Sequence, residues 1–249
     1  MHRSRTNAPT LSIVVPVFNE EDNVVPLARE IVDAIASPLT YEIVFVDDGS
    51  TDATTARIRR LRQEMQNVVL VRHARRCGQS AAIRTGVREA RAGWVATLDG
   101  DGQNDPADIP LMLELMRQDS TGLVKLVAGV RRMRRDRWVR RVSSRVANAV
   151  RRAFLRDGMP DTGCGIKLFH RATFLEIPAF DHMHRFLPAL FQREGAKVVS
   201  IDVRHRARLH GRSKYGVANR LWGGIVDLFG VWWLMSRSTS HDRVVEGPS

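Results

Sequence analysis

The 249 residues give enough chain for one large domain with a core of its own, and 43% hydrophobic against 27% charged residues is a globular balance that argues against a disordered or membrane-embedded chain. The net charge of +12 points to anionic partners: nucleic acid, lipid headgroups or phosphorylated substrates. The two cysteines, Cys77 and Cys164, are too few for a disulfide framework, and neither has the CxxC or His-rich surroundings of a structural zinc site.

The basic opening "MHRSRTNAPT" lacks an apolar signal core, so secretion is not expected. From there strand and helix alternate. "LSIVVPVF" (residues 11–18) is a continuous apolar run, as a strand buried on both faces requires. "EEDNVVPLAREIVDAI" places Val24, Leu27, Ile31 and Ile35 at helical spacing behind an acidic start. "YEIVFV" is the second strand. "DDGSTDATTARIRRLRQEM" turns into a helix with Ile58, Leu61 and Met65 on one face. "VVLVR" and "WVATL" are strands three and four, separated by the helix "GQSAAIRTGVREA". "PADIPLMLELMRQ" carries proline where a first helical turn accepts it, and "LVKLVAGV" is a fifth strand.

Single helices between strands predict an α/β fold with a doubly wound, mostly parallel sheet. Such sheets bind ligands beyond the carboxyl ends of their strands. "NEED" follows the first strand, "DDGSTD" the second and "DGDGQ" the fourth, so three acidic or polar clusters are expected to meet in one crevice. The cluster after the fourth strand is the costly one. Asp99 and Asp101 are close enough for each to favour protonating the other unless a cation intervenes. A solvated turn is the plain alternative, since Asp and Gly are ordinary turn formers; convergence of the clusters favours the ligand site.

Beyond about residue 130 the texture changes. Residues 131–152 hold ten arginines, and "DRWVRRVSSRVANAVRRAF" reads as an amphipathic helix with Trp138, Val142, Val146, Ala149 and Ala153 inward. "DTGCGIKLF" is glycine-rich and ends in a short strand. "HRFLPALFQREG" reads as a helix leading to the strand "AKVVSIDV", and "RHRARLHGRSKYG" as a basic loop. His182, His184 and His205 are assigned to packing or surface rather than to the site. In the tail, the apolar run Leu221–Met235 is shorter than the roughly 20 residues a bilayer span needs, and Asp227 interrupts it. A helical wheel groups Gly223, Asp227 and Gly230, with Trp222, Trp232, Trp233 and other large apolar residues covering the rest. Arg220 and Arg237 flank it. Tryptophan and arginine suit a helix lying at headgroup depth; docking on the protein's own core is the other placement.

Two carboxylates amid basic surroundings suit Mg²⁺ or Mn²⁺ bridging to a nucleotide diphosphate, because these ions take one or two carboxylates plus phosphate oxygens. There is no GxxxxGK[ST], no GxGxxG after the first strand and no GxSxG, which argues against a P-loop NTPase, a dinucleotide oxidoreductase and a Ser-His-Asp hydrolase.

Taken together, "VVPVFNEE", "VDDGSTD", "LDGDGQNDP", "DTGCGIKLF", "HRFLPAL" and "RARLHGRSKYG" resemble the family 2 glycosyltransferases of GT-A fold, and within them the polyprenyl-phosphate branch that contains the dolichol-phosphate mannose synthases. The resemblance covers roughly residues 10–235. It implies donor contacts for base and ribose at Pro16, Phe18 and Glu20, and nucleoside contacts at Val46 and Asp48. It implies a metal and diphosphate cluster of Asp99, Gly100, Asp101 and Gln103, with Asp99, Asp101 and Gln103 as metal ligands. Asp101, Arg131 and Arg145 are the implied catalytic residues, the arginines neutralising donor and acceptor phosphates. Arg208, Ser213 and Lys214 fall in the loop that closes over the donor in such enzymes.

The expected reaction is direct, inverting transfer of a sugar from a UDP- or GDP-sugar to a polyprenyl phosphate. No dedicated base is expected, because a phosphate monoester is already an anionic nucleophile near neutral pH. A metal and arginines at the leaving group would stabilise the transition state more than the ground state. The implied divisions are a disordered basic stretch 1–9, a catalytic domain 10–216, an interfacial helix 217–237 and a disordered tail 238–249. The implied location is cytoplasmic, at the inner face of the cell membrane. Several relatives carry full membrane spans after the "SKYG" segment, whereas here a single short helix follows it. Alternatives are a soluble or cell-envelope glycan acceptor and a sugar-phosphate nucleotidyltransferase. A nucleic-acid binder would leave the DGD cluster without a task and has few aromatic residues for stacking.

Overall fold

The computed structural model describes residues 8–35, 39–131, 154–155, 157–206 and 218–237. Four strands, β1 (Leu11–Val17), β2 (Tyr41–Asp47), β3 (Val68–Arg72) and β4 (Trp94–Thr97), alternate with α1 (Val24–Ala34), α2 (Thr54–Glu64) and α3 (Gln79–Glu89). Then come α4 (Asp108–Arg117), β5 (Val124–Arg131), β6 (Lys167–His170), α5 (Arg171–Glu176), a 3₁₀ turn (Met183–Arg185), α6 (Leu187–Arg193), β7 (Lys197–Val203) and α7 (Ala218–Ser236). The amphipathic helix expected over Asp136–Phe154 lies outside the described residues except at its last position.

The strands form one sheet in the order β3-β2-β1-β4-β6-β5-β7. All neighbours run parallel except β6, which is antiparallel to both β4 and β5. That reversal matters for the site. Lys167, the first residue of β6, pairs with Thr97, the last of β4, so the "DTGCGI" loop preceding β6 arrives at the carboxyl ends of the parallel strands.

Helices cover both faces. On one, α1 buries Val24, Leu27, Ala28 and Ile31, the i, i+3, i+4, i+7 stripe of a core-facing helix; Ile58 and Leu61 of α2 and Ile109 and Met112 of α4 join the same core cluster. On the other, Ala82, Ile83 and Val87 of α3 pack with Phe174, Leu190 and Phe191. At the amino ends of the strands Glu42 is buried, accepting hydrogen bonds from Ser12 Oγ (2.6 Å), Arg91 N (2.7 Å) and Arg91 Nε (2.7 Å). One carboxylate thereby ties β1, β2 and the α3–β4 connection.

Helix α7 docks on the protein by one side and leaves apolar side chains exposed on another. Leu228 and Val231 are buried in the core cluster that includes α6. Val226, Phe229, Trp232 and Trp233 are 58%, 52%, 46% and 55% exposed, and Phe154 meets Phe229 edge-on at 5.7 Å. Asp227 belongs to the docked side, where its Oδ2 lies 2.9 Å from His182 Nδ1. No helix among the described residues is long and apolar enough to cross a membrane.

Candidate active site

The loops after β1 and β2 interlock. Asn19, in a left-handed backbone conformation (φ 52°), accepts from Thr51 N (2.8 Å), and Ser50 Oγ accepts from Asn19 N (2.9 Å). Thr54 Oγ1 accepts from Glu20 N at 2.9 Å, while Glu20 Oε2 accepts from Asn23 Nδ2 at 2.6 Å. The buried Asp47 caps this turn through Ser50 N (2.8 Å) and Thr55 Oγ1. Asp48 accepts from Cys77 N and Gly78 N, each at 2.8 Å, and pairs with His73 Nδ1 at 2.8 Å. It therefore shapes the 73–78 segment that leads into α3.

The "DGD" turn closes against this assembly. A β-carbon on Gly100 would stand 2.6 Å from Val17 Cγ1 and 2.9 Å from Pro16 O, so only glycine lets the turn lie on the end of β1. Asp99 accepts from Gln79 Nε2 at 2.8 Å, and its backbone N–H donates to Asn104 Oδ1 at 3.0 Å. Burial, then the neighbouring charge of Asp101, pushes the Asp99 carboxyl up to about 6, against the pull of Lys167, Arg131 and Gln79. The pair therefore resists carrying two charges by itself. Asp99, Asp101 and the Gln103 amide offer only oxygen ligands, a set that fits Mg²⁺ or Mn²⁺, and the unfavourable second charge is what such an ion would relieve. Gln103 also joins the site to the end of β7: its Nε2 donates to Arg206 O (3.3 Å), and Arg206 N donates back to its carbonyl (2.9 Å).

The loop brought by β6 makes the floor. A β-carbon on Gly165 would fall 2.1 Å from Asp99 Oδ2, so the Asp99 carboxylate rests directly on the bare backbone there. Lys167, buried, donates from Nζ to Thr162 O (3.3 Å) and to Cys164 O, holding this loop in place; burial lowers its pKa. Arg131 forms a two-pronged pair with Asp161 (2.7 and 3.1 Å) and contributes positive potential at Asp99.

Beside Gln79 opens a cavity of about 340 Å³, lined by Arg76, Gly78 and Gln79 on one side and by Asp181, His182, His184 and Arg185 on the other. His184 Nδ1 lies 2.8 Å from Ser80 Oγ. Loss of hydration, then Lys167, Arg185 and His182, holds the His184 imidazole well below its ordinary pKa, hence neutral.

The expected residues thus divide. Pro16, Phe18, Glu20, Asp48, Asp99, Gly100, Asp101, Gln103 and Arg131 all lie at the carboxyl ends of the strands or in the loops beyond them. Val46 is fully buried in the core beside α3, where a β-carbon on Gly86 would meet its Cγ2 at 3.0 Å. Phe18 has Arg76 over its ring, 4.4 Å from the centroid. Arg145, Arg208, Ser213 and Lys214 lie outside the described residues. Sequence reasoning did not single out Gln79, Gly165 or Lys167, and it set His184 aside as a packing or surface residue. "GQS" after a strand and "DTGCGIK" before one were the available signals, but their partners are far along the chain.

Residues 12–177 match the glycosyl transferase family 2. The chain belongs to that family. Among curated proteins it is 38% identical over 240 residues to the dodecaprenyl-phosphate galacturonate synthase of Rhizobium johnstonii, covering 92% of this chain and 70% of that protein. It is 35% identical over 212 residues to the undecaprenyl-phosphate 4-deoxy-4-formamido-L-arabinose transferase of Edwardsiella ictaluri, covering 83% and 63%. The chain therefore spans about two thirds of the length of these family members. Among solved structures, the glucosyl-3-phosphoglycerate synthase of Mycobacterium tuberculosis in complex with UDP has a TM-score of 0.68 at 17% identity, covering 97% of this chain and 88% of that one. Its complex with Mn²⁺, UDP and phosphoglyceric acid has 0.69 at 19%, covering 94% and 80%. The family 2 fold here is accordingly GT-A.

Proposed function

We propose that this family 2 member transfers a sugar, with inversion, from a nucleotide-diphospho-sugar to a polyprenyl phosphate at a membrane surface. One observation carries the reading: the Asp99–Asp101 turn lies on the carboxyl end of β1, with Gln79 on one Asp99 oxygen and Gly165 beneath that carboxylate. The related proteins are named for polyprenyl-phosphate transfer, and the structural neighbour is crystallised with UDP and Mn²⁺. The names of the relatives differ in their sugar, so likeness leaves the sugar open.

In this reading Pro16, Phe18, Glu20 and Asp48 with its loop hold base and ribose, while Asp99, Asp101 and Gln103 hold the ion. Bound there, Mg²⁺ or Mn²⁺ would screen the charge that grows on the departing diphosphate. Arg131 adds its field to the same end, and Arg145 belongs with the acceptor phosphate. The phosphate oxygen of the lipid attacks the anomeric carbon as the carbon–oxygen bond to the nucleoside diphosphate breaks, its electron pair leaving with the diphosphate. No proton has to be removed from the nucleophile. Arg208, Ser213 and Lys214 close over the donor. The exposed apolar side of α7, with its two tryptophans, favours a lipid acceptor over a soluble one.

The test is transfer of radiolabelled sugar into an organic phase when protein, Mn²⁺, nucleotide sugar and undecaprenyl phosphate are mixed. Asp101→Asn should lower turnover roughly a hundredfold or more while leaving the melting temperature unchanged. Wild-type turnover in that variant would overturn the metal assignment. No transfer from any UDP- or GDP-sugar to any lipid phosphate would overturn the reaction.

A further inference from the structure

Three side chains able to ligate a metal meet at the carboxyl end of β2. Asp48 follows β2, His73 follows β3 and Cys77 precedes α3; a carboxylate oxygen, a ring nitrogen and the thiol sulfur all lie within 4.8 Å of one another. Backbone fit brings them together. Gly49, at φ 76°, lets the 75–76 backbone lie on the loop after β2, since a β-carbon there would stand 2.7 Å from Arg75 C and 2.8 Å from Arg76 N. The amides of Cys77 and Gly78 then reach Asp48, each at 2.8 Å. Cys77 is thus placed by its backbone, while its thiol, at the surface, donates to Arg75 O at 3.3 Å.

The donor set differs from that of the acidic turn. Asp99, Asp101 and Gln103 offer oxygen, whereas carboxylate oxygen, imidazole nitrogen and sulfur together are the mixture that zinc takes. His73 is prepared for such a role. Its Nδ1 lies 2.8 Å from Asp48 Oδ1 and its Nε2 lies 2.9 Å from Thr85 Oγ1. A hydroxyl can donate or accept, so the ring can keep its proton on Nε2, toward Thr85, and present Nδ1 to an ion. An outer hydrogen bond of this kind fixes the tautomer of metal-bound histidines. The side chains of Asp48 and His73 are 5% and 14% exposed, so an ion enters from the side of Cys77, whose thiol has only to rotate.

We propose that Asp48, His73 and Cys77 form a metal site apart from the acidic turn, selective for zinc, with its fourth position open to water, and that its occupation excludes the nucleotide sugar. The thiol gives its proton to water as the zinc–sulfur bond forms, the imidazole proton sits on Nε2, and coordination replaces the hydrogen bond between His73 and Asp48. Exclusion follows because Asp48 is the carboxylate assigned above to the nucleoside. That half of the inference rests on the nucleotide-sugar reading; the metal site itself does not.

The experiment uses Co²⁺ and Zn²⁺ on the full chain in saturating Mg²⁺. Cobalt bound by sulfur gives a thiolate charge-transfer absorption. It should saturate at one equivalent, be displaced by Zn²⁺, vanish in Cys77→Ala and persist in Asp101→Asn. His73→Gln should weaken Zn²⁺ binding at least about tenfold. In calorimetric titrations with UDP, one equivalent of Zn²⁺ should weaken binding about tenfold or more in the native chain and have no effect in Cys77→Ala. No sulfur–cobalt absorption, or one that survives in Cys77→Ala, overturns the site. Loss of Zn²⁺ binding in Asp101→Asn alone assigns the ion to the acidic turn and also overturns it. Unchanged UDP affinity with zinc bound overturns the exclusion. A native chain that binds no UDP with any metal defeats the nucleotide-sugar reading, while the cobalt absorption still decides the site.

Discussion

At position 165 one methyl group decides whether the acidic pair keeps its shape. Gly165→Ala would put a β-carbon 2.1 Å from Asp99 Oδ2, and the carboxylate, not the backbone floor, is the part free to swing away. We expect UDP binding in the presence of Mn²⁺ to weaken about tenfold or more, since small displacements of ligating groups are costly, with a near-normal melting temperature. Gly93→Ala, where an added β-carbon meets nothing within 4 Å, is the control and should change neither. His184 supports a second prediction. Its imidazole is kept neutral in the fold but takes a proton near pH 6.5 when unfolded. Its contribution is therefore complete above pH 6.5 and is lost as the pH falls below that, by up to about 1.4 kcal/mol per pH unit. Urea midpoints at pH 7, 6 and 5 should decline less steeply in His184→Asn than in the native chain. Parallel slopes would show that the ring is hydrated after all.

Among the elements, the sheet is held at its two ends by different means. At the amino ends Glu42 carries three hydrogen bonds from β1 and from the connection into β4. Glu42→Ala would leave Ser12 and the Arg91 N–H short of an acceptor, costing about 3 kcal/mol and lowering the melting temperature by roughly 5–12 °C. The site at the opposite end should survive, so UDP affinity at 20 °C is expected to stay native. Helix α7 divides its labour by face. Leu228, Val231 and Asp227 dock it, while Phe229, Trp232 and Trp233 face outward. Replacing Trp232 and Trp233 by serine should reduce sedimentation with anionic phospholipid vesicles about tenfold or more, with stability and nucleotide binding unaffected. Unchanged sedimentation would remove α7 from the membrane contact.

For the whole molecule, the +12 charge acts as a field rather than a set of pairs. Near an anionic bilayer each basic residue contributes about 1 kcal/mol, an effect confined to a Debye length. Vesicle binding should accordingly fall steeply between roughly 50 and 500 mM salt, while nucleotide binding, seated among half-buried groups, should change far less. The apolar face of α7 should leave a residual, salt-resistant fraction, and the tryptophan variant should lose that fraction first.

How much of this was legible beforehand follows from the range of the interactions. Buried parallel strands read as unbroken apolar runs, so β1, β2 and β4 could be placed from local composition, and with them the acidic turns at their carboxyl ends. The short motifs around Asp99 and Asp101 carried the family resemblance for the same reason: each is contiguous. Tertiary structure decided the rest. That β6 runs antiparallel, and so lays Gly165 under Asp99, depends on a pairing between segments far apart in the chain. His184 meets Ser80 across 104 residues and Gln79 meets Asp99 across 20. Asp227 meets His182 across 45 residues, a partner that the helical spacing of its own segment does not name. Periodicity fixes what a segment buries, but a partner chosen across the fold is invisible until the chain has closed around it.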